Sequence, residues 1–319
     1  MPLPTPLVSL ADITAAHAAI EGIVHRTPTG GSSYLSERTG ARVVLKLELF
    51  QKTGSFKVRG VVNTLRQLSA DERARGVISL SAGNHAQAVA WGATRLGIRS
   101  TIVMPATAVR SKVEATRGYG GEVVQTADDL LATALQLQRE RGLTLVHPFD
   151  DERVIAGQGT VGLEIVADVP DVDVVLVACG GGGLISGVAA AVKALRPGAR
   201  IVGIEPEGAD VMTRSLAAGS PQRLTTIDTV ADGLAAPFAG VRNLAHCQAL
   251  VDDWFVVPDR EIVDAMRILM ERCKVVPEAA GAAALVPLLT GRLTLGTGAT
   301  VVPIVCGGNV DLQRLKGLL

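Results

Sequence analysis

The sequence predicts an α/β fold with two lobes, in which mostly parallel sheets are covered by helices. Short apolar runs such as VISL and STIVMP alternate with helical stretches, which is the order of repeated strand–helix units. Several of these runs are apolar throughout, as expected for strands that are covered on both faces. With 319 residues, of which 48% are hydrophobic, the chain is long enough for two lobes around one cleft.

The elements follow from the same patterns in chain order. A helix is predicted after Ser9, its N-cap, with Asp12 near the positive end of the helix dipole. Strand VVLKLELF comes next, followed by VISLS before NHAQAVAWGATRLG, STIVMP before KVEATRGYG, and EVVQT before DDLLATALQLQRERG. Further predicted strands are LTLVHPF, VDVVLVAC, RIVGIEP and TVVPIVC. In PDREIVDAMRILMERC the helical spacing assigns five side chains to the core: Ile262, Met266, Leu269, Met270 and Cys273.

Charge and composition exclude several classes of protein. Lys+Arg and Asp+Glu both number 31, so the net charge is zero and no basic patch for nucleic acid or an anionic membrane is predicted. The first 17 residues lack a secretory signal, and no apolar run reaches the roughly 18 residues of a membrane span. The cysteines form no C-x-x-C pair, which favours reduced thiols and a cytoplasmic location. A small-molecule enzyme is the class that remains.

Three junctions between strands and helices carry candidate chemistry. The first is the segment SAGNH at residues 81–85, which follows VISL and opens a helix. Small residues let a ligand approach the backbone, and the N–H groups at a helix start bind anions. Taken alone, the segment is better explained as an ordinary turn in which Ser81 or Asn84 caps the helix.

The second junction contains four consecutive glycines, at residues 180–183. Such a run is unfavourable in conformational entropy, and a nest of N–H groups for a phosphate explains it best. A Walker loop is excluded because Val188 follows Gly187, and the dinucleotide pattern fails because Ile185 and Ser186 stand where glycine is required. Glu205 lies at about the right distance for a ribose, so a nicotinamide-dependent oxidoreductase stays as a remote alternative.

The third junction is GSFKVRG, which places Lys57 beside Phe56 and before an apolar helix. A desolvated lysine has a lowered pKa and can form a Schiff base or act as a base. Together the three junctions match pyridoxal 5'-phosphate (PLP), which has an aldehyde for Lys57, a phosphate for the glycines and a ring hydroxyl for Asn84.

The sequence resembles the fold-type II PLP enzymes, the tryptophan synthase β-like family, and most of all its threonine/serine dehydratase and serine racemase branch. The motifs SFKVRG, SAGNHAQ, AGQGTVGLE, GGGGL, ADGLA, PEAAGA and CGGNVD occur in family order over essentially the whole chain. The resemblance implies a large PLP-binding lobe from residues 1–51 and 148–319, a small inserted lobe from 52–147, and PLP in the cleft between them. No C-terminal regulatory domain is expected after CGGNVDL, which favours a catabolic role.

The resemblance also implies roles for individual residues. Lys57 is the Schiff-base lysine and the base for the Cα proton, Phe56 lines the ring pocket, and Asn84 contacts the ring 3'-oxygen. The phosphate is held by Gly180, Gly181, Gly182, Gly183 and Leu184, and the pocket is lined by Gly233 and Glu278. Cys306 faces the pyridine nitrogen, where many relatives have serine, so no carboxylate keeps that nitrogen protonated. The substrate carboxylate is bound by Ser81, Ala82, Gly83, Asn84 and His85.

The type of reaction follows from the residue at position 82. Racemisation requires a second acid/base group on the face of Cα opposite Lys57. Serine racemases resembling this chain have serine where Ala82 stands, and Ala82 cannot donate a proton. We therefore expect β-elimination, from L-threonine to 2-oxobutanoate and ammonia and from L-serine to pyruvate. The alternatives are a serine racemase, a 3-hydroxyaspartate dehydratase, or a catalytically silent relative, against which the intact Lys57 and Asn84 argue.

Two further expectations come from the resemblance alone. Family members bind a divalent or monovalent cation near EPEGAD, where Glu205 and the Ala209 carbonyl match the ligand pattern. A second carboxylate is expected at the position of Val211, although Asp210 is adjacent, and a cation needs several oxygen ligands. The family also leads us to expect a homodimer or homotetramer.

Overall fold

The computed structural model describes residues 6–319. The absence of a secretory signal is predicted from residues 1–17, and the first five of these lie outside the described range. Within it the strands are β1 (Thr29–Gly31), β2 (Arg42–Lys46), β3 (Val77–Leu80), β4 (Ser100–Pro105), β5 (Glu122–Thr126), β6 (Thr144–Leu145), β7 (Val174–Ala178), β8 (Arg200–Pro206), β9 (Asp253–Val257) and β10 (Thr300–Pro303).

The helices surround these strands. In chain order they are α1 (Leu10–Ile20), α2 (Ser33–Thr39), α3 (Lys57–Arg66), α4 (Ala70–Arg75), α5 (Asn84–Arg95), α6 (Arg110–Gly118), α7 (Leu130–Arg141), α8 (Glu152–Asp168), α9 (Gly183–Leu195), α10 (Val211–Ala218), α11 (Val241–Leu250), α12 (Asp259–Cys273), α13 (Ala279–Ala282), α14 (Val286–Leu289) and α15 (Leu312–Leu318). Among the described residues no helix combines the length and the apolar character needed to cross a membrane.

The strands form two sheets. The larger has the order β1-β2-β10-β7-β8-β9 and the smaller the order β5-β4-β3-β6. Every pair is parallel except β1 with β2, so the predicted α/β class with mostly parallel sheets is confirmed. All four strands of the smaller sheet come from the segment 52–147, and those of the larger sheet come from either side of it.

Glycines allow three helices near the cleft, α3, α8 and α9, to pack with their backbones in contact. A Cβ atom on Gly157 of α8 would lie 2.5 Å from the Cα of Gly60 in α3. A Cβ atom on Gly187 of α9 would lie 2.3 Å from the carbonyl oxygen of Ile155 in α8. Any side chain at these two positions would push the helices apart. Helix α3, whose first residue is Lys57, is therefore held directly against α8.

A buried ionic cluster joins α3 and α8 to β2. Arg59 Nε donates to Glu48 Oε2 at 2.8 Å, and Arg59 Nη1 donates to Glu164 Oε1 at 2.7 Å. Lys46 Nζ donates to Glu164 Oε2 at 2.6 Å. These four side chains are at most 2% exposed, and their two positive and two negative charges balance. The cluster fixes α3 two residues beyond Lys57.

Some predicted elements differ from those observed. LTLVHPF forms a strand only at Thr144–Leu145, because the chain turns at His147, whose Nδ1 accepts hydrogen bonds from the backbone of Phe149 and Asp150. VVLKLELF ends as a strand at Lys46 and continues into a 3-10 turn at Glu48–Phe50. The amphipathic helix α12 is confirmed: Ile262, Met266 and Leu269 are buried, and Met270 and Cys273 pack partly buried against the same core.

Candidate active site

One cavity of about 930 Å³ lies between the two sheets and brings the predicted PLP and substrate residues together. Its lining draws on the carboxyl ends of β3 and β7, which is where ligands bind in parallel α/β sheets. The predicted residues in its wall are Phe56, Lys57, Ser81, Ala82, Gly83, Asn84, His85, Gly180, Gly181, Gly182, Gly183, Leu184, Gly233, Glu278 and Cys306. Glu205 and Ala209 do not line it.

Lys57 presents its amine inside this cavity from the first residue of α3. Its Nζ donates a hydrogen bond to the carbonyl oxygen of Pro148 at 2.8 Å and lies 5.2 Å from the centre of the Phe56 ring. Burial lowers the pKa of Lys57 from 10.5 to about 8, against the opposing effects of Cys306 and Glu278. An amine with this pKa loses its proton close to neutral pH, so it can attack an aldehyde or accept a proton.

The glycine loop connects β7 to α9 and has no room for side chains. A Cβ atom on Gly180 would lie 2.8 Å from the Leu234 carbonyl oxygen, and one on Gly181 would lie 2.5 Å from the Phe149 ring. Gly182 has φ +98°, a conformation that residues with side chains rarely adopt. Helix α9 begins here without a capping side chain. Its first N–H groups, with those of the loop, are therefore available for an anion such as a phosphate.

The SAGNH segment forms a second helix start without a capping side chain. Helix α5 begins at Asn84, and no side chain caps it: Ser81 Oγ instead accepts a hydrogen bond from the Gly83 N–H at 3.1 Å. A Cβ atom built on Gly83 would meet nothing within 4 Å, so the backbone there borders open space. The interpretation of this segment as a turn with a capping Ser81 or Asn84 is therefore wrong, and the free N–H groups suit a carboxylate.

Asn84 is instead held by two residues of the large sheet's lobe. Its Nδ2 donates to Glu278 Oε1 at 2.6 Å, while Asn309 Nδ2 donates to Asn84 Oδ1 at 2.8 Å and to the Thr53 carbonyl oxygen at 2.6 Å. These contacts fix the orientation of the Asn84 amide and, among residues 6–319, leave one of its N–H bonds without a partner. Burial raises the pKa of Glu278 to about 7. Near neutral pH the Glu278 carboxyl is therefore present in both its protonated and its charged form.

Cys306 and His85 are both buried and neutral. Burial raises the pKa of the Cys306 thiol well above its usual range, with Glu278 adding to the effect, and its Sγ donates to the Ala280 carbonyl oxygen at 3.4 Å. His85 Nε2 lies 3.1 Å from the Val146 carbonyl oxygen, which can only accept, so Nε2 carries the ring proton. Burial and the nearby Lys57 charge lower the pKa of His85 to about 3. Neither side chain supplies a charge to a ligand.

Glu205 lies away from the cavity at the end of β8. Its carboxylate accepts hydrogen bonds from the backbone N–H groups of Met212 and Thr213, at 2.8 and 2.7 Å, and from Thr213 Oγ1 at 2.6 Å, so it caps α10. Burial raises the pKa of Glu205 to about 7 despite these bonds. The described residues contain no group of three or more His, Cys, Asp or Glu side chains placed to hold a metal ion. The cation site at Glu205 and Ala209 stays a prediction.

The fold and the cavity define a class: a two-lobed α/β enzyme with a buried lysine of lowered pKa and a glycine loop suited to a phosphate in one cleft. The loop without room for side chains, the amine of lowered pKa and the fixed Asn84 amide fit PLP. The family model described as pyridoxal-phosphate dependent enzyme matches residues 20–307. The chain belongs to this family, and PLP is its cofactor. The nicotinamide alternative loses its support, because Glu205 does not reach the cavity.

Individual relatives point to one branch of this family. L-threonine ammonia-lyase of Thermotoga maritima is 43% identical over 316 residues, which are 98% of this chain and 78% of that protein. Maize serine racemase has a TM-score of 0.93 at 40% identity, covering 98% of this chain and 97% of that one. The solved threonine deaminase from the organism abbreviated T.th. has a TM-score of 0.90 at 41% identity, covering 95% of this chain and 99% of that one. The predicted family and branch are thereby confirmed.

His147 and Asn309 are among the further residues that line the cavity and that the sequence analysis did not single out. Asn309 stands in CGGNVD, a motif that was noted without a role for this residue. His147 belongs to the predicted strand LTLVHPF, and its place just beyond β6 is the signal that could have identified it, because ligands bind at the carboxyl ends of parallel strands.

Proposed function

We propose that the protein is a PLP-dependent ammonia-lyase that converts L-threonine into 2-oxobutanoate and ammonia, and L-serine into pyruvate and ammonia. The observation that carries this proposal is the pairing of Lys57 with Ala82 in one cavity. Lys57 provides an amine that can take the Cα proton, whereas the methyl group of Ala82 provides no acid/base group. The ammonia-lyase and deaminase relatives support the same activity.

Different residues of the cavity have different roles in this reaction. Bound PLP supplies an aldehyde for Lys57 and a ring that withdraws electrons from Cα. The N–H groups at the start of α5 hold the substrate carboxylate, and the glycine loop holds the phosphate. Lys57 removes the Cα proton, the β-hydroxyl leaves, and the enamine product hydrolyses to ammonia and a 2-oxo acid.

Serine racemase activity is the second candidate, favoured by the close structural match to the maize enzyme. Its reaction also begins with removal of the Cα proton, but it ends with protonation from the opposite face. Ser81, the hydroxyl nearest to Ala82 in sequence, accepts a hydrogen bond from the Gly83 N–H and lies on the same loop. Dehydration is the better-supported outcome because Ala82 cannot return a proton.

A chirally resolved product analysis tests the proposal. The PLP-loaded protein is incubated with L-threonine, L-serine or 3-hydroxyaspartate, and the 2-oxo acids, ammonia and D-amino acids are measured. We expect 2-oxobutanoate and pyruvate with little D-serine. D-serine as the main product would identify a racemase, and turnover of 3-hydroxyaspartate alone would identify the third alternative.

The Lys57 assignment has its own test. Lys57→Ala is expected to abolish both elimination and the covalent attachment of PLP that borohydride reduction makes permanent. Lys52→Ala is the matched control, because Lys52 is the nearest lysine in sequence and does not line the cavity. Elimination that persists in Lys57→Ala, or borohydride attachment at another lysine, would overturn the assignment.

The proposal extends to organisation and location. We propose a PLP-binding lobe from residues 1–51 and 148–319 with an inserted lobe from 52–147, a homodimer or homotetramer, and a cytoplasmic location. The two sheets support the lobes, and four free cysteines support a reducing compartment. Light scattering of the holoenzyme measures the oligomeric state, and a monomer would contradict it.

A further inference from the structure

His147 lies where the chain crosses from the small sheet to α8, and its ring has a fixed proton position. Nδ1 accepts hydrogen bonds from the backbone N–H groups of Phe149, at 3.2 Å, and Asp150, at 2.8 Å. A nitrogen that accepts two such bonds carries no proton. Burial lowers the pKa of His147, with Lys57 contributing, although Asp150 and Asp151 oppose this. The ring is therefore neutral and has its proton on Nε2.

This Nε2–H is a free donor in the cavity wall. The hydrogen bonds that His147 makes within residues 6–319 both go to Nδ1, and the side chain lines the cavity. The next residue, Pro148, accepts the hydrogen bond from Lys57 Nζ. The rings of Phe149 and Phe238 lie edge-on to the imidazole, with centroids 4.8 and 6.2 Å away. A hydrogen bond made beside these apolar rings is weakly screened by water.

The polar groups to which a role has been assigned suit other parts of the cofactor and substrate. The glycine loop suits the phosphate, the start of α5 suits the substrate carboxylate, and Lys57 serves Cα. None of these three groups is assigned to the substrate's β-hydroxyl oxygen. Resting on the function proposed above, we propose that His147 is the specificity-determining residue whose Nε2–H donates a hydrogen bond to the β-hydroxyl oxygen of a hydroxy amino acid.

The bond changes balance without a proton from His147. The electron pair of the Cα–H bond forms the Cα–Cβ double bond as the proton goes to Lys57. The Cβ–O bond breaks with its electron pair on oxygen, and the proton on Lys57 is passed to that oxygen, so water leaves. His147 keeps its proton throughout. Its hydrogen bond stabilises the negative charge that develops on the departing oxygen.

A pair of amide variants separates the two nitrogens of His147. The amide of asparagine reaches the position of Nδ1, so His147→Asn keeps an acceptor for the turn and loses the donor. The amide of glutamine reaches the position of Nε2, so His147→Gln keeps a donor towards the cavity. His25→Asn is the matched control, because His25 is exposed and lies outside the cavity. The substrates are L-threonine, L-serine and β-chloro-L-alanine, whose chloride leaves without a hydrogen-bond donor.

The holoenzymes are compared by kcat/KM, and PLP absorbance confirms that each variant binds the cofactor. We expect His147→Asn to lower kcat/KM for the two hydroxy amino acids about 100-fold, and for β-chloro-L-alanine less than about 3-fold. For the same two substrates, kcat/KM of His147→Gln should be at least about tenfold higher than that of His147→Asn. Equal losses of kcat/KM for all three substrates, or no loss in His147→Asn, would overturn the proposed role of His147. Either result would leave the proposed ammonia-lyase function standing. A wild-type enzyme that eliminates chloride but dehydrates neither hydroxy amino acid would overturn the proposed function and this inference together.

Discussion

Asn84 Nδ2 donates a 2.6 Å hydrogen bond to Glu278 Oε1, although 194 residues separate them in the sequence. The bond crosses the cleft, from the first residue of α5 to the residue just before α13. Burial raises the pKa of Glu278 from 4.5 to about 7, so the protonation of this carboxyl is coupled to folding. The burial of the carboxyl that orients Asn84 thus makes stability depend on pH, although the hydrogen bond from Asn84 itself lowers the pKa of Glu278.

Replacing Glu278 by Gln should remove that dependence. Between pH 4.5 and 7 the folded wild-type protein keeps a proton on Glu278 that the unfolded chain releases, so its stability falls as pH rises. Relative to the variant, the apo wild-type protein should lose up to about 3 kcal/mol across this window and no more above it. Urea unfolding of both apoproteins at about pH 4.5, 6 and 8 measures the difference. A constant difference at all three pH values would contradict a raised pKa.

The glycine loop should tolerate no added methyl group. In Gly181→Ala the new Cβ atom would lie 2.5 Å from the Phe149 ring, so either the loop or the ring must move. We expect the Kd for PLP to rise at least about tenfold, or about 1.4 kcal/mol, in an absorbance titration of the apoprotein. Gly198→Ala is the control, because a Cβ atom there meets nothing within 4 Å. Equal affinities in the two variants would exclude close packing as the reason for the glycine.

The buried cluster around Arg59 should be among the most sensitive polar features of the fold. Glu164→Gln leaves Arg59 with Glu48, and Lys46 with only the more distant Asp168 at 4.0 Å, and poorly compensated buried charge is strongly unfavourable. Burial alone raises the pKa of Glu164, but Arg59 and Lys46 outweigh it and hold this pKa below its usual value, so the side chain is charged at neutral pH. We expect a loss of about 3–5 kcal/mol in the free energy of unfolding, measured with urea.

Asp264→Asn provides the matched control for that measurement. It removes an equivalent carboxylate from an ion pair with Arg267, in which both side chains are well exposed to water. Exposed pairs contribute little, because water and salt screen the charges. A Glu164→Gln variant no less stable than this control would show that the buried cluster does not hold α3 in place.

Local patterns predicted the residues whose role depends on their own segment. Lys57 and the glycine run were identified because a reactive lysine and a phosphate nest each need a particular residue type at one turn. The contact of Asn84 with Glu278 and Asn309 could not be derived, because it depends on how distant segments pack. The same holds for the Nδ1 contacts of His147, which arise from a turn that the sequence analysis assigned to a strand.

Residue 82 should determine whether the enzyme acts mainly as a dehydratase or as a racemase. Ala82→Ser adds a hydroxyl to the loop in the same cavity as Lys57, and such a group can return a proton to the face of Cα that Lys57 does not serve. We expect the ratio of D-serine to pyruvate formed from L-serine to rise at least about tenfold, as measured by chiral chromatography. Ala82→Gly is the control, because it alters the side chain without adding an acid. A ratio that rises equally in both variants would mean that loop mobility, and not the hydroxyl proton, determines the product.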